Sequence, residues 1–280
     1  MWTGSISNES APIGVFDSGY GGLTILKSIR AQLPDYDYLY LGDNARAPYG
    51  TRSFDVIYRF TLDGVRELFA RGCRLVILAC NTASAKALRT IQQRDLAGLD
   101  PSRRVLGVIR PTVEALSQSR TGNVGVLGTP GTIASRSYEM EIEKLHPGFK
   151  TTTVACPLWV PLVENNETTG DGAKFFVDKY IGRLFEAAPD VDTIVLGCTH
   201  YPLLLPLIEE AVGGRARILT QGEIVARSLA DYLSRHPEID SRCSRGGSAT
   251  YLTTENPEKF VGLARIFLDE DVTVNHIDIN

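Results

Sequence analysis

Few features of this chain mark it for a membrane, a nucleic acid or an oxidising compartment. Cysteine is scarce: five in 280 residues are too few for a disulfide framework, and an odd number leaves one unpaired. No C-x-x-C pair occurs, which argues against a zinc knuckle and against a thioredoxin-type redox centre. Free thiols in a reducing cytoplasm are the natural reading. The formal charge of −4 offers no basic stripe for a polynucleotide. The longest uncharged run, Thr193–Ile208, contains His200, Pro202 and Pro206 and falls short of a bilayer span. Met1 to Pro12 lack a basic n-region and an apolar h-region, so no secretory signal is expected and residues 1–11 read as a flexible leader. No Walker-type Gly-Lys-Ser/Thr, no Gly-x-Gly-x-x-Gly and no other cofactor motif is present.

What is present is alternation. Short runs apolar on both faces (Ile13–Phe16, Tyr38–Leu41, Leu75–Ala79, Val105–Val108, Val124–Leu127, Thr152–Ala155, Thr193–Leu196, Arg217–Leu219, Ala249–Leu252) are separated by helical patterns such as Leu23–Gln32, Phe54–Arg71, Ser84–Asp95 and Ser135–Lys144. This predicts an α/β, doubly wound architecture with parallel strands covered by helices on both sides.

An internal echo runs through it. Gly14-Val15-Phe16-Asp17-Ser18-Gly19 corresponds to Gly125-Val126-Leu127-Gly128-Thr129-Pro130, and Leu78-Ala79-Cys80-Asn81-Thr82 to Leu196-Gly197-Cys198-Thr199-His200. Each half offers a strand ending in a small turn and, a helix–strand–helix later, a strand ending in cysteine. Two related units, residues 12–108 with 220–280 and residues 109–219, would face each other with both cysteine turns at a shared cleft. Chance likeness between apolar strands is the competing explanation.

Ligands of parallel sheets bind where strands end and helices begin. Gly19, Gly21 and Gly22 permit tight turns, while Ser18, Thr82, Thr129, Thr132 and Thr199 add hydroxyls; such a cleft suits a carboxylate or a phosphate. A cysteine at a helix start can have its pKa drawn toward neutrality. One such cysteine is more often a buried small hydrophobe; two in matched turns reverse those odds. Cys198 with His200 alone would fit nucleophilic catalysis. The second, mirrored thiol at Cys80 fits better a reaction with a base on one face of a carbon and an acid on the other: inversion by proton transfer. Cys73, Cys156 and Cys243 have no such setting and read as packing residues. By pattern alone Glu164 reads as a solvated helix end and Pro48-Tyr49-Gly50 as an ordinary loop near the mouth of the cleft.

The motifs Phe16-Asp17-Ser18-Gly19-Tyr20-Gly21-Gly22, Pro48-Tyr49-Gly50, Ala79-Cys80-Asn81-Thr82-Ala83-Ser84, Cys156-Pro157-Leu158-Trp159-Val160-Pro161-Leu162-Val163-Glu164 and Gly197-Cys198-Thr199-His200-Tyr201-Pro202, in this order between about Ile13 and Leu233, closely resemble the glutamate racemase family. The Cys-Thr-His-Tyr form is closer to that family than to the related aspartate and hydantoin racemases. The resemblance implies two flavodoxin-like domains with the site between them and cofactor-independent interconversion of L- and D-glutamate. It assigns Cys80 to proton removal from D-glutamate and Cys198 to removal from L-glutamate. Asp17, Glu164 and His200 assist, and Ser18, Tyr49, Gly50, Asn81, Thr82, Thr199 and His200 hold substrate. It also implies supply of D-glutamate for peptidoglycan, and a homodimer. One departure stands out: Thr220-Gln221-Gly222 replaces a short Asp-containing turn common in the family. The tail after about Arg242 resembles nothing usable. A racemase of another acidic amino acid, a binding protein that keeps the cleft, and a thiol redox protein are the rival readings.

Overall fold

The computed structural model describes residues 10–279. All but two residues of the expected leader fall outside them; Ala11 lies within, and its backbone pairs with Cys243 and its neighbours. Among the described residues ten strands form two wholly parallel sheets. They are β1 Ile13–Asp17, β2 Tyr38–Gly42, β3 Leu75–Leu78, β4 Arg104–Gly107, β5 Asn123–Gly128, β6 Lys150–Ala155, β7 Thr193–Gly197, β8 Arg217–Leu219, β9 Ala249–Thr253 and β10 Val274–His276. The first sheet runs β10-β9-β2-β1-β3-β4 and the second β6-β5-β7-β8.

The inner strands show why they pair in parallel. Every residue of β1, β2, β3 and β7 is buried, and such strands need helices on both faces. The helix Phe54–Ala70 turns Ile57, Thr61, Leu62, Gly64, Val65, Leu68 and Phe69 inward at three- and four-residue spacing, the stripe of a helix laid against a sheet.

The echo read from the sequence has a topological counterpart. In the first sheet β1 is flanked by β2 and β3, with β4 beyond β3; in the second β5 is flanked by β6 and β7, with β8 beyond β7. Both halves therefore switch direction beside their opening strand, and a crevice opens at the carboxyl ends there. The registers Phe16↔Leu78 and Gly128↔Gly197 bring those ends level. Asp17 and Cys80 leave one switch point; Thr129 and Cys198 leave the other.

Some local features differ from expectation. The helix expected over Ser135–Lys144 runs from Ser137 to Leu145, and Arg136, at φ 56, parts it from a short helix before it, Pro130–Ala134. The stretch Ser84–Asp95 begins earlier, at Asn81, and includes a wide turn over Ile91–Asp95. The tail after Arg242 supplies β9, β10 and the helix Pro257–Leu268; β9 pairs with β2. Among the described residues no helix is long and apolar enough to cross a membrane.

Candidate active site

Cys198 follows its strand directly and Cys80 stands two residues beyond its own, and both line one cavity of about 140 Å³ between the sheets. Around them on its wall are Ser18, Tyr49, Gly50, Asn81, Thr82, Thr129, Glu164, Thr199 and His200. Asp17 and Thr132, also expected at the site, stand behind this wall, at 1 % exposure each. Thr132 is drawn back because its hydroxyl meets those of Thr82 and Thr129 at 3.2 and 3.0 Å.

The surroundings of the two thiols differ. Cys80 caps the helix Asn81–Lys86, accepting from the Ala83 N–H at 3.4 Å, and its sulfur lies 3.4 Å from Ser18 Oγ. These contacts do not bring it to neutrality as expected. Burial pushes the Cys80 thiol up to about 12, the charge of Asp17 adds to that, and the Ser18 and Ala83 hydrogen bonds only offset part of it. Charge on Cys198 also raises Cys80, as two like-charged thiolates in one cavity must.

Asp17 is itself perturbed. Burial raises its pKa to about 6, against the charge of His200 and the N–H groups of Gly19 and Gly22. The Gly19 N–H donates to Oδ1 at 2.9 Å, whereas Oδ2 makes no well-formed hydrogen bond among the described residues. A carboxyl with an unsatisfied oxygen and a pKa near neutrality is placed to exchange a proton.

Cys198 faces an imidazole. His200 Nδ1 is 3.9 Å from its sulfur, and His200 Nε2 is 3.1 Å from Glu164 Oε1. Burial disfavours protonation of His200, but hydrogen bonds and charge from Cys198 and Glu164 outweigh it and push its pKa up to about 10. Glu164 ends the helix Trp159–Glu164; Trp159 is fully buried and packs edge-on to Tyr201, the ring centroids 4.7 Å apart.

The Pro48-Tyr49-Gly50 turn is held at both ends. Tyr49 OH donates to Asp43, a fully buried carboxylate that also accepts from Arg46 Nε at 2.7 Å and Thr254 Oγ1 at 3.0 Å. Gly50 O accepts the Gly131 N–H at 2.7 Å and thereby joins the two halves. Sequence reasoning missed Asp43, whose role appears only when β9 brings Thr254 alongside. It also missed Cys156, Pro157 and Val160, which line the cavity, and Phe267 of the tail, whose ring meets His200 edge-on at 5.4 Å. The motif Cys156–Glu164 was a signal for the first three; nothing in the sequence pointed to Phe267.

Gly21 and Gly22 do not serve as turn-formers with left-handed backbone; Gly21 has φ −59. They are small because something stands against them. A Cβ on Gly22 would lie 2.5 Å from Asp17 Cβ, and one on Gly21 would lie 2.6 Å from His200 Cε1.

Two thiols, drawn from equivalent ends of two like sheets and closing on one small cavity, fit an α/β isomerase of the racemase class. The Asp/Glu/Hydantoin racemase family model matches residues 15–228, and the chain belongs to that family. It is 41 % identical to the glutamate racemase of Ruegeria pomeroyi over 93 % of this chain and 98 % of that one. Against the glutamate racemase of Geobacter metallireducens the identity is 42 %, covering 91 % and 92 %. Among solved structures, glutamate racemase isoform RacE1 from Bacillus anthracis superposes with TM-score 0.87 at 33 % identity, covering 96 % of this chain and 98 % of that one. The Francisella tularensis glutamate racemase, solved in complex with D-glutamate, gives 0.87 at 29 %, covering 97 % and 98 %.

Proposed function

We propose that this chain interconverts L- and D-glutamate without a cofactor, Cys80 removing the α-proton from the D enantiomer and Cys198 from the L. The observation that carries this reading is the placement of the two sulfurs: each follows the strand beside its own sheet's switch point, and both reach the same cavity. One thiolate takes the α-proton while the opposite thiol delivers its own proton to the other face. The amino acid leaves inverted, and the enzyme differs only in which sulfur is protonated. The next turnover in the same direction begins once the proton has been redistributed, and Asp17 and the His200–Glu164 pair are the groups adjacent to each sulfur for that.

The carbanionic character that develops needs donors around the substrate carboxylate. Ser18, Asn81, Thr82, Thr129 and Thr199 supply them, and the Tyr49–Gly50 turn lies on the same wall. The asymmetry of the thiols sets a direction for the resting enzyme. With Cys80 held as thiol, the direction in which Cys80 delivers a proton, and Cys198 beside the His200 imidazole removes one, is the one that starts from L-glutamate.

The unit boundaries belong to the same reading. Residues 12–108 with 220–280 form one α/β unit and 109–219 the other, supported by the strands each sheet draws on. So do a cytoplasmic setting, supported by five free cysteines, the supply of D-glutamate to peptidoglycan, and a homodimer, for which sedimentation is the test. Incubation with L-glutamate in deuterated water is the decisive experiment. Deuterium enters the α-position as optical rotation decays; a folded protein that exchanges nothing removes the reading. A panel including aspartate tests the substrate, since a site built for the distal carboxylate of glutamate discriminates against analogues that misplace it.

A further inference from the structure

The Thr220-Gln221-Gly222 turn, where the sequence departs from the family pattern, ends in the middle of the molecule. Gln221 is 2 % exposed, and its amide meets the amide of Asn81, the residue after Cys80. Asn81 Nδ2 donates to Gln221 Oε1 at 2.6 Å. Gln221 Nε2 donates to Thr112 Oγ1 at 2.8 Å and to Tyr138 OH at 2.9 Å. Tyr138 OH in turn donates to Asn81 Oδ1 at 2.7 Å. Four side chains from both halves of the chain thus close a buried ring beneath the site.

The direction of that ring is forced. Thr112 spends its hydroxyl proton on Val108 O at 2.7 Å, so toward Gln221 it can only accept. Gln221 must then turn its NH₂ to Thr112 and its carbonyl to Asn81. Asn81 must answer with its own NH₂, and its carbonyl is taken by Tyr138. An amide that could otherwise lie either way round is left with a single polarity. Asn81 lines the cavity, and one of its two Nδ2 hydrogens remains for what enters there. Reversed, Asn81 would offer a carbonyl oxygen, which repels a carboxylate.

We propose that Gln221 is a positioning residue that sets the polarity of the Asn81 amide, so that Asn81 presents an N–H to the substrate carboxylate beside the reacting carbon. This rests on the reading of the cavity as a glutamate site. Gln221 touches no substrate; its effect passes through Asn81.

The test is a cycle of Q221L and N81A with kcat and KM measured for both enantiomers of glutamate. Q221L is expected to raise KM about tenfold, the value of one hydrogen bond to a charged group, with kcat changed much less. In the N81A background the same substitution is expected to raise KM by less than about twofold, because the group it orients is gone. Equal effects of Q221L with and without Asn81 overturn the proposal, as does a fall in kcat alone, the mark of a protein merely less folded. T112V keeps the shape and releases the constraint, so the ring can run either way; about half of Asn81 is then reversed and KM is expected to rise about twofold. If Q221L does not fold, T112V decides, and an unchanged KM overturns the proposal. A parent enzyme that fails to racemise glutamate removes the underlying reading instead, so the two failures are distinct.

Discussion

The hydroxyls of Thr82 and Thr129 meet at 3.0 Å, one from the end of each sheet, and with Thr132 they form a buried triangle at the seam between the halves. T82V and T129V are each expected to cost about 1 kcal/mol of stability, a typical net hydrogen bond. The double variant should cost less than the two together, because the bond they share is lost only once. Urea unfolding of the four proteins measures this; strict additivity would mean that the contact across the seam contributes nothing.

Cys80 and Cys198 are expected to be separable by direction. C80S should suppress proton removal from D-glutamate and C198S from L-glutamate, each by roughly 10²–10⁴-fold, the usual contribution of a positioned acid or base. Exchange of the α-proton with solvent deuterium, followed separately from each enantiomer, distinguishes the two. Wild-type rates in both directions for either variant would show that the sulfur concerned takes no part.

Much of this arrangement was legible in the chain itself, and the reasons are local. Strands such as Leu75–Leu78, apolar throughout, and Thr193–Gly197, apolar after its first residue, give a signal that needs no tertiary information, and the turns that follow carry the chemistry in both halves. The bend at Arg136 was not legible, since a left-handed arginine is set by what packs around it rather than by its own preference. Nor was β10, a three-residue edge strand with only its first residue buried. At the site, residues adjacent to a cysteine in sequence were found, whereas Asp43 and Phe267 join through contacts made by the tail. The expected role of Gly21 as a turn residue missed because the steric reason for it lies on the opposite half.

Asp17 gives a pH dependence of determinate sign. Its pKa in the folded protein lies at about 6, above the ordinary 3.8, so the native state favours the protonated carboxyl. That contribution is fully present below about pH 3.8 and is lost as pH rises through about 6; two units correspond to about 3 kcal/mol. D17N cannot ionise and is spared this loss. Its stability relative to the parent should therefore improve as pH rises from 4 to 7, measured as a difference of unfolding free energies. A difference that stays flat over this range would show that burial does not raise the carboxyl. The parent's kcat/KM should carry an acid limb near 6 that D17N lacks.

Gly21→Ala puts the closeness of the two halves to the test. Gly21 opens the helix Gly22–Gln32 of the first sheet's layer, and the residues against it, Thr199 and His200, leave the second sheet. An added methyl would stand 2.6 Å from His200 Cε1 and closer still to Nδ1 and to Thr199 Oγ1. The backbone there has little room to yield, because Thr24 Oγ1 holds Gly21 O at 2.8 Å and Thr199 O at 3.1 Å. The imidazole is the part able to move, and moving it lengthens its contacts with Cys198 and Glu164 together. G21A is expected to fold and to lose proton removal from L-glutamate by on the order of 10²-fold, as for a misplaced assisting base, while removal from D-glutamate by Cys80 is affected less. Measured deuterium exchange from the two enantiomers gives both numbers in one experiment. Equal loss from both sides would place the damage in substrate binding at Thr199 rather than in the Cys198–His200 pair, and no loss at all would mean that the halves stand farther apart than the 3.1 Å bond from Thr24 to Thr199 requires.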